Sequence, residues 1–102
     1  MSFKFTPSSY HCAMMAEIYR ISAQRYYLEA QNAYLNGDYA AASLKAYMAQ
    51  IGCQTSMCFQ ETVGNDKMPS PSLTIKGPFS DSKEEADKEI AEAERLMELA
   101  TD

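Results

Sequence analysis

No apolar run in this 102-residue chain approaches the roughly 18–20 residues a helix needs to cross a bilayer. The opening Met1-Ser2-Phe3-Lys4-Phe5-Thr6-Pro7 lacks the apolar centre of a signal peptide. A cytoplasmic protein that does not engage membranes is therefore expected. There is also no basic patch. Residues 81 to 102 hold nine acids and three bases, a balance of −6, and residues 1 to 80 hold five acids and six bases, a balance of +1. Phosphate neutralisation needs clustered Lys and Arg, so nucleic acid is not the expected partner.

Histidine is nearly missing. His11 is the only one, beside Cys12, with Cys53 and Cys58 the other two thiols. On a helix, residues five apart differ by about 140°, so Cys53 and Cys58 face different ways. Cys12 should sit opposite a level near residue 63, about 15 Å along the axis from Cys53. Neither a disulfide nor a metal site is expected, and three thiols suit a reducing compartment. A nucleophile would need a base, and His11 points away from its neighbour Cys12. The Glu-x-x-His motif of di-metal bundles and the Gly-rich loop of phosphate sites are both absent. These absences lead to the expectation of a non-enzymatic protein with no cofactor.

Only four glycines and four prolines occur, which leaves most of the chain free to be helical. Thr6 is placed to cap a first helix with Pro7 at its first position, over about residues 8–35. Asn36-Gly37-Asp38 forms a tight break, with Gly37 suited to a left-handed C-terminus and Asp38 to capping a second helix over about 39–63. Gly52 lies inside that helix at a cost of about 1 kcal/mol. Pro69, Pro71 and Pro78 exclude continuous helix over the irregular stretch 64–80, where Leu73-Thr74-Ile75 is a candidate short extended piece. Ser80-Asp81-Ser82 with Glu84-Glu85 makes a capping-box pattern for a third helix over about 82–100. Its apolar stripe is Ala86, Ile90, Ala93, Met97 and Ala100, and its other positions are expected to be solvated. The expected fold is all-α and a single domain: a long antiparallel helical hairpin plus an acidic third helix.

The first two helices are apolar on two sides. On a wheel of about 100° per residue, helix 1 carries Cys12, Ala16, Tyr19, Ala23, Tyr26, Ala30 and Ala33 along one line. Met14, Ile18, Ile21, Leu28 and Leu35 lie opposite. Helix 2 places Ala42, Ala46, Ala49 and Cys53 on one side, with Leu44, Tyr47, Met48, Ile51, Cys58 and Phe59 on the other. Small-residue faces pack closely, so they are assigned to the hairpin, leaving the bulky faces outside. Surplus apolar surface usually marks an interface. A homodimer is therefore expected, and another protein partner with it, through Met14, Ile18, Ile21, Leu28, Leu35, Leu44, Tyr47 and Ile51. An alternative is a small-ligand or nucleotide site in a cleft lined by Tyr19, Arg20, Tyr26, Tyr27 and Tyr34, with stacking and cation–π contacts to hold it.

The segment Ala33-Tyr34-Leu35-Asn36-Gly37-Asp38-Tyr39-Ala40-Ala41-Ala42 resembles the centre of a tetratricopeptide unit, or of the three-helix microtubule-interacting-and-trafficking module. In both, an Ala-Tyr pair, a Gly-Asp-Tyr turn and a following Ala mark the helix crossing. The resemblance covers about ten residues and implies an adaptor that holds peptides or helices in a groove and does no chemistry. Both helices here run about twice a repeat's length, and no second copy of the motif occurs.

Overall fold

A computed structural model describes residues 7–62 and 77–101. The described residues form three helices: α1 (Pro7–Leu35), α2 (Tyr39–Thr62) and α3 (Lys83–Thr101). The expected all-α hairpin with a third helix is what the chain adopts. Thr6, Pro69, Pro71 and the Leu73-Thr74-Ile75 segment lie outside the described residues.

The turn between α1 and α2 is closed by local chemistry. Gly37 has φ of 77°, a left-handed conformation that glycine reaches without a Cβ penalty. Its N–H donates to the Tyr34 carbonyl at 3.0 Å, and the Asp38 N–H donates to the Ala33 carbonyl at 3.0 Å. This pair of bonds is the Schellman arrangement, which satisfies carbonyls the helix end would leave open. Asp38 then accepts the Ala41 N–H at 3.2 Å. The two remaining N–H groups of that first turn are taken from far away: Asp81 accepts from Tyr39 at 2.9 Å and from Ala40 at 3.1 Å. A carboxylate just before α3 thus completes the N-terminus of α2. Ser82 caps α3, accepting the Glu85 N–H at 3.3 Å, while the Ser80 hydroxyl donates to the Glu85 carboxylate.

The interior is built mainly of alanine. Ala23, Ala30, Ala42, Ala46, Ala49, Ala86 and Ala93 are all fully buried, and the largest side chains with no exposure are Cys53, Ser43 and Ser56. Three clusters run along the bundle. Cys12, Ala16 and Phe59 lie towards the N-terminal end of α1. Ala23, Cys53, Leu96 and Ala100 follow in the middle, and Ala30, Ala46, Ala49 and Ala93 lie towards the turn. Such small contacts let backbones approach closely. A Cβ added at Gly52 would stand 3.1 Å from the Ala23 Cβ, 3.3 Å from its Cα and 3.3 Å from the Tyr19 carbonyl oxygen. Gly52 is thus a contact point of the hairpin rather than a tolerated defect. Beside it, the Ser56 hydroxyl donates across to the Ala16 carbonyl at 2.7 Å.

Two expectations about faces need correction. Phe59 does not belong to the outer side of α2; it is buried and stacks on Tyr19 with ring centroids 5.7 Å apart. The buried line of α3 is Ala86, Glu89, Ala93, Leu96 and Ala100, with Ile90 and Met97 only partly buried. Glu89 is inside because Gln50 of α2 meets it, its amide donating to the Glu89 carbonyl at 2.9 Å and to the carboxylate at 3.1 Å. Alpha-3 lies against both partners, so its inward line follows the groove between them and not its most apolar stripe.

Candidate protein-interaction surface

A core of alanine leaves the large apolar side chains outside. Met14 is 45% exposed, Ile18 50%, Ile21 49%, Leu28 63%, Leu35 83% and Leu44 44%. Six of the eight residues expected on the outer surface are therefore openly solvent-facing in this chain. The other two are half-buried: Tyr47 packs on Phe79 with centroids 5.6 Å apart, and Ile51 sits beside it in sequence register on α2.

The exposed face of α1 has a regular grammar. Met14, Ile18, Ile21, Arg25, Leu28, Asn32 and Leu35 follow one another at alternating four- and three-residue steps. Met14, Ile21, Leu28 and Leu35 recur every seventh residue, with Ile18, Arg25 and Asn32 between them. This is the spacing of a coiled-coil seam. The inward line of α1 has the same spacing and lies about 150° around the helix. Alpha-2 repeats the pattern on its outer side with Leu44, Met48, Ile51, Thr55 and Cys58, of which only Leu44 is open and the rest are half-buried. None of these residues enters the three core clusters.

A groove of about 500 Å³ opens on this side, lined by Ile18, Ile21, Ser22, Arg25, Tyr26, Glu29 and Lys45. Lys45 crosses from α2, its ammonium 3.4 Å from the Glu29 carboxylate and 5.5 Å from the Tyr26 ring centroid. Arg20 pairs with Glu17 one turn below. Arg25 has no ion-pair partner among the described residues.

The tyrosines and arginine expected to line a ligand cleft do not meet. Tyr19 is stacked on Phe59, Arg20 is held by Glu17, and Tyr26 lies under Lys45. Tyr27 and Tyr34 face α3. The Tyr27 hydroxyl donates to Glu94 at 2.6 Å and accepts from the Gln31 amide at 2.8 Å. Burial, with the hydrogen bond to Glu94 and its charge, pushes the Tyr27 phenol up to about 12. A hydrogen bond to Asp87, with some burial and the neighbouring charge, pushes Tyr34 up to about 12 as well. Both phenols brace α1 against α3. The groove beside them, about 490 Å³, has Asp87 and Glu94 on its walls, a poor setting for phosphate.

No disulfide joins the three thiols, of which Cys12 and Cys53 are buried and Cys58 half-buried. Burial pushes Cys53 up to about 11, and burial together with the charge of Glu61 raises Cys58. Among the described residues no three His, Cys, Asp or Glu side chains converge as metal ligands, and no helix is long and apolar enough to cross a membrane. Sequence reasoning found the exposed face but missed Arg25 and Asn32 as members of its seam. The four-three spacing was the signal that would have included them. Comparison with protein-family models, curated proteins and solved structures gives no match.

Proposed function

We propose that this chain is a non-enzymatic protein-interaction module, an adaptor, chaperone or inhibitor in type, whose outer hairpin face docks helical protein surface, first of all that of a second copy. The observation that carries this reading is the inversion of side-chain size between inside and outside. Together the six exposed side chains present somewhat more than three fully exposed Leu, Ile or Met equivalents. Covering them is worth about 5–10 kcal/mol per copy at ~1.5–3 kcal/mol per side chain. Two copies covering each other double that gain, against an association cost of about 4–15 kcal/mol. The resemblance of residues 33–42 to tetratricopeptide and microtubule-interacting-and-trafficking hairpins supports the same reading, since those modules hold helices and peptides. A module of this kind needs no metal or cofactor and works in the cytoplasm. The alternative, a small ligand or nucleotide held by tyrosines and Arg20, draws less support because those side chains are spread over separate places and already engaged.

Light scattering with purified chains tests the proposal. The wild type should have twice the mass of the 11.4 kDa chain. Ile21→Asp should be a monomer with unchanged helical circular dichroism, and Tyr27→Ala should stay dimeric. A wild type that remains a single chain at hundreds of micromolar would remove the support for this reading.

A further inference from the structure

We propose that the second copy docks antiparallel along α1, with Arg25 of each chain reaching Glu17 of the other. The inference rests on the interaction reading above and adds the orientation, the register and the residues that set them.

Alpha-1 offers the longer and more open seam. From Met14 to Leu35 it spans about 30 Å at 1.5 Å per residue, whereas only Leu44 is open on the corresponding line of α2. Orientation follows from the two polar members. In a parallel, in-register pair each seam residue meets its own copy, so two Arg25 guanidinium groups would face each other across a drying interface. Like charges in that position select against the arrangement. In an antiparallel pair the residues between the seven-spaced positions face the seven-spaced set, and Arg25 meets an aliphatic side chain along which its stem can lie.

Register follows from coverage. Setting Leu28 against Ile18 of the second copy also sets Ile21 against Arg25, Met14 against Asn32 and Leu35 against His11, so the whole seam is used. A slip of one heptad towards the turn would carry Met14 past the end of the opposing α1. In the full register, Arg25 lies level with Ile21 of the second copy, and Glu17 of that copy is four residues, about 6 Å, further along. Arg25 is exposed and has no ion-pair partner within its own chain among the described residues, whereas Glu17 is held by Arg20, so the contact answers the open Arg25 charge by sharing the Glu17 carboxylate between two guanidinium groups. The pairing occurs twice by symmetry. Charge on the rest of the molecule agrees. The strip and its margins carry Arg20, Arg25 and Lys45 against Glu17 and Glu29, near neutrality, while the −6 balance of residues 81–102 belongs to the segment of α3, away from the strip.

The test is a charge swap read as dimer dissociation constant by analytical ultracentrifugation. Arg25→Glu and Glu17→Lys should each weaken the dimer at least tenfold, and the double variant should recover most of the loss. Helical circular dichroism should stay unchanged, because both side chains are solvent-facing. Cysteine crosslinking in a Cys58→Ser chain fixes the direction. Gln24→Cys should couple to its own copy. Leu35→Cys should not, since the two positions lie about 36 Å apart in this register. A dimer that Ile21→Asp breaks but the charge swap leaves unmoved, or one crosslinked through Leu35→Cys, overturns the antiparallel assignment and leaves the interaction module standing. A monomeric wild type overturns both. A monomer whose Ile18 and Leu28 are shielded from hydroxyl-radical labelling would give the strip to another part of the same chain and likewise overturn the pairing.

Discussion

Replacing Gly52 by alanine sets two opposing effects against each other, and the structure decides between them. In a solvated helix the change would stabilise by about 1 kcal/mol, the propensity difference between the two residues. Here the new methyl group would meet the Ala23 Cβ at 3.1 Å, the Ala23 Cα at 3.3 Å and the Tyr19 oxygen at 3.3 Å. None is the free end of a flexible side chain, and two are backbone. Ordinary contact requires α1 to withdraw by a few tenths of an ångström along a stretch that also holds the 2.7 Å bond from Ser56 to the Ala16 carbonyl. Overpacking of this kind costs about 1–3 kcal/mol, so the net should be a loss of about 1 kcal/mol. For a domain of this size that is a fall of ~4–8 °C in Tm. Thermal and urea unfolding at one fixed chain concentration measures it, since dimerisation would otherwise shift Tm. Gln54→Ala, at an exposed position of the same helix, controls for propensity alone. A Gly52→Ala chain that is about 1 kcal/mol more stable than wild type would show that α1 shifts freely and that the close approach constrains nothing.

Asp81→Ala should cost about 1 kcal/mol in urea unfolding, because two N–H groups at the start of α2 lose their acceptor; Asp81→Asn, which keeps a side-chain oxygen, should lose less than half of that. At alkaline pH, Tyr27 and Tyr34 should ionise near pH 12 while unperturbed tyrosines ionise near 10, read as phenolate absorbance and assigned with Tyr27→Phe and Tyr34→Phe. Folded values raised above the unfolded value of about 10 mean that their contribution to stability is intact below pH 10 and lost as pH rises through 12. Two phenols titrating at the ordinary value of about 10 would contradict their bonds to Glu94 and Asp87.

Much of the architecture was open to reading from local chemistry. Gly37 and Asp38 announce a break whose hydrogen bonds are all within six residues, and the absence of Gly and Pro from residues 8–36 leaves helix as the default. The two-sided pattern of α1 was legible for the same reason, since a period along one helix needs no knowledge of its neighbours. What was hidden depends on contacts between helices. Glu89 looks like any other acid of α3 until Gln50 is brought to it, and Leu96 joins the buried line only because α3 lies in a groove with two walls. Phe59 was misplaced because one ring can swing to either side of its stripe, and Tyr19 decides which. The second cap on α2 joins residues about forty positions apart, beyond the reach of any local rule.

A core built mainly of methyl groups changes what mutational scanning can detect. Alanine scanning, the usual probe, would pass silently over Ala23, Ala30, Ala42, Ala46, Ala49, Ala86 and Ala93, the positions that hold the interior. A scan by enlargement, with leucine or phenylalanine at every site, would draw the complementary map: intolerance along the inner lines, where an added methylene has no room. For this molecule the usual rule that drift spares the centre by forbidding shrinkage is reversed, and lineages should diverge by what they refuse to let grow.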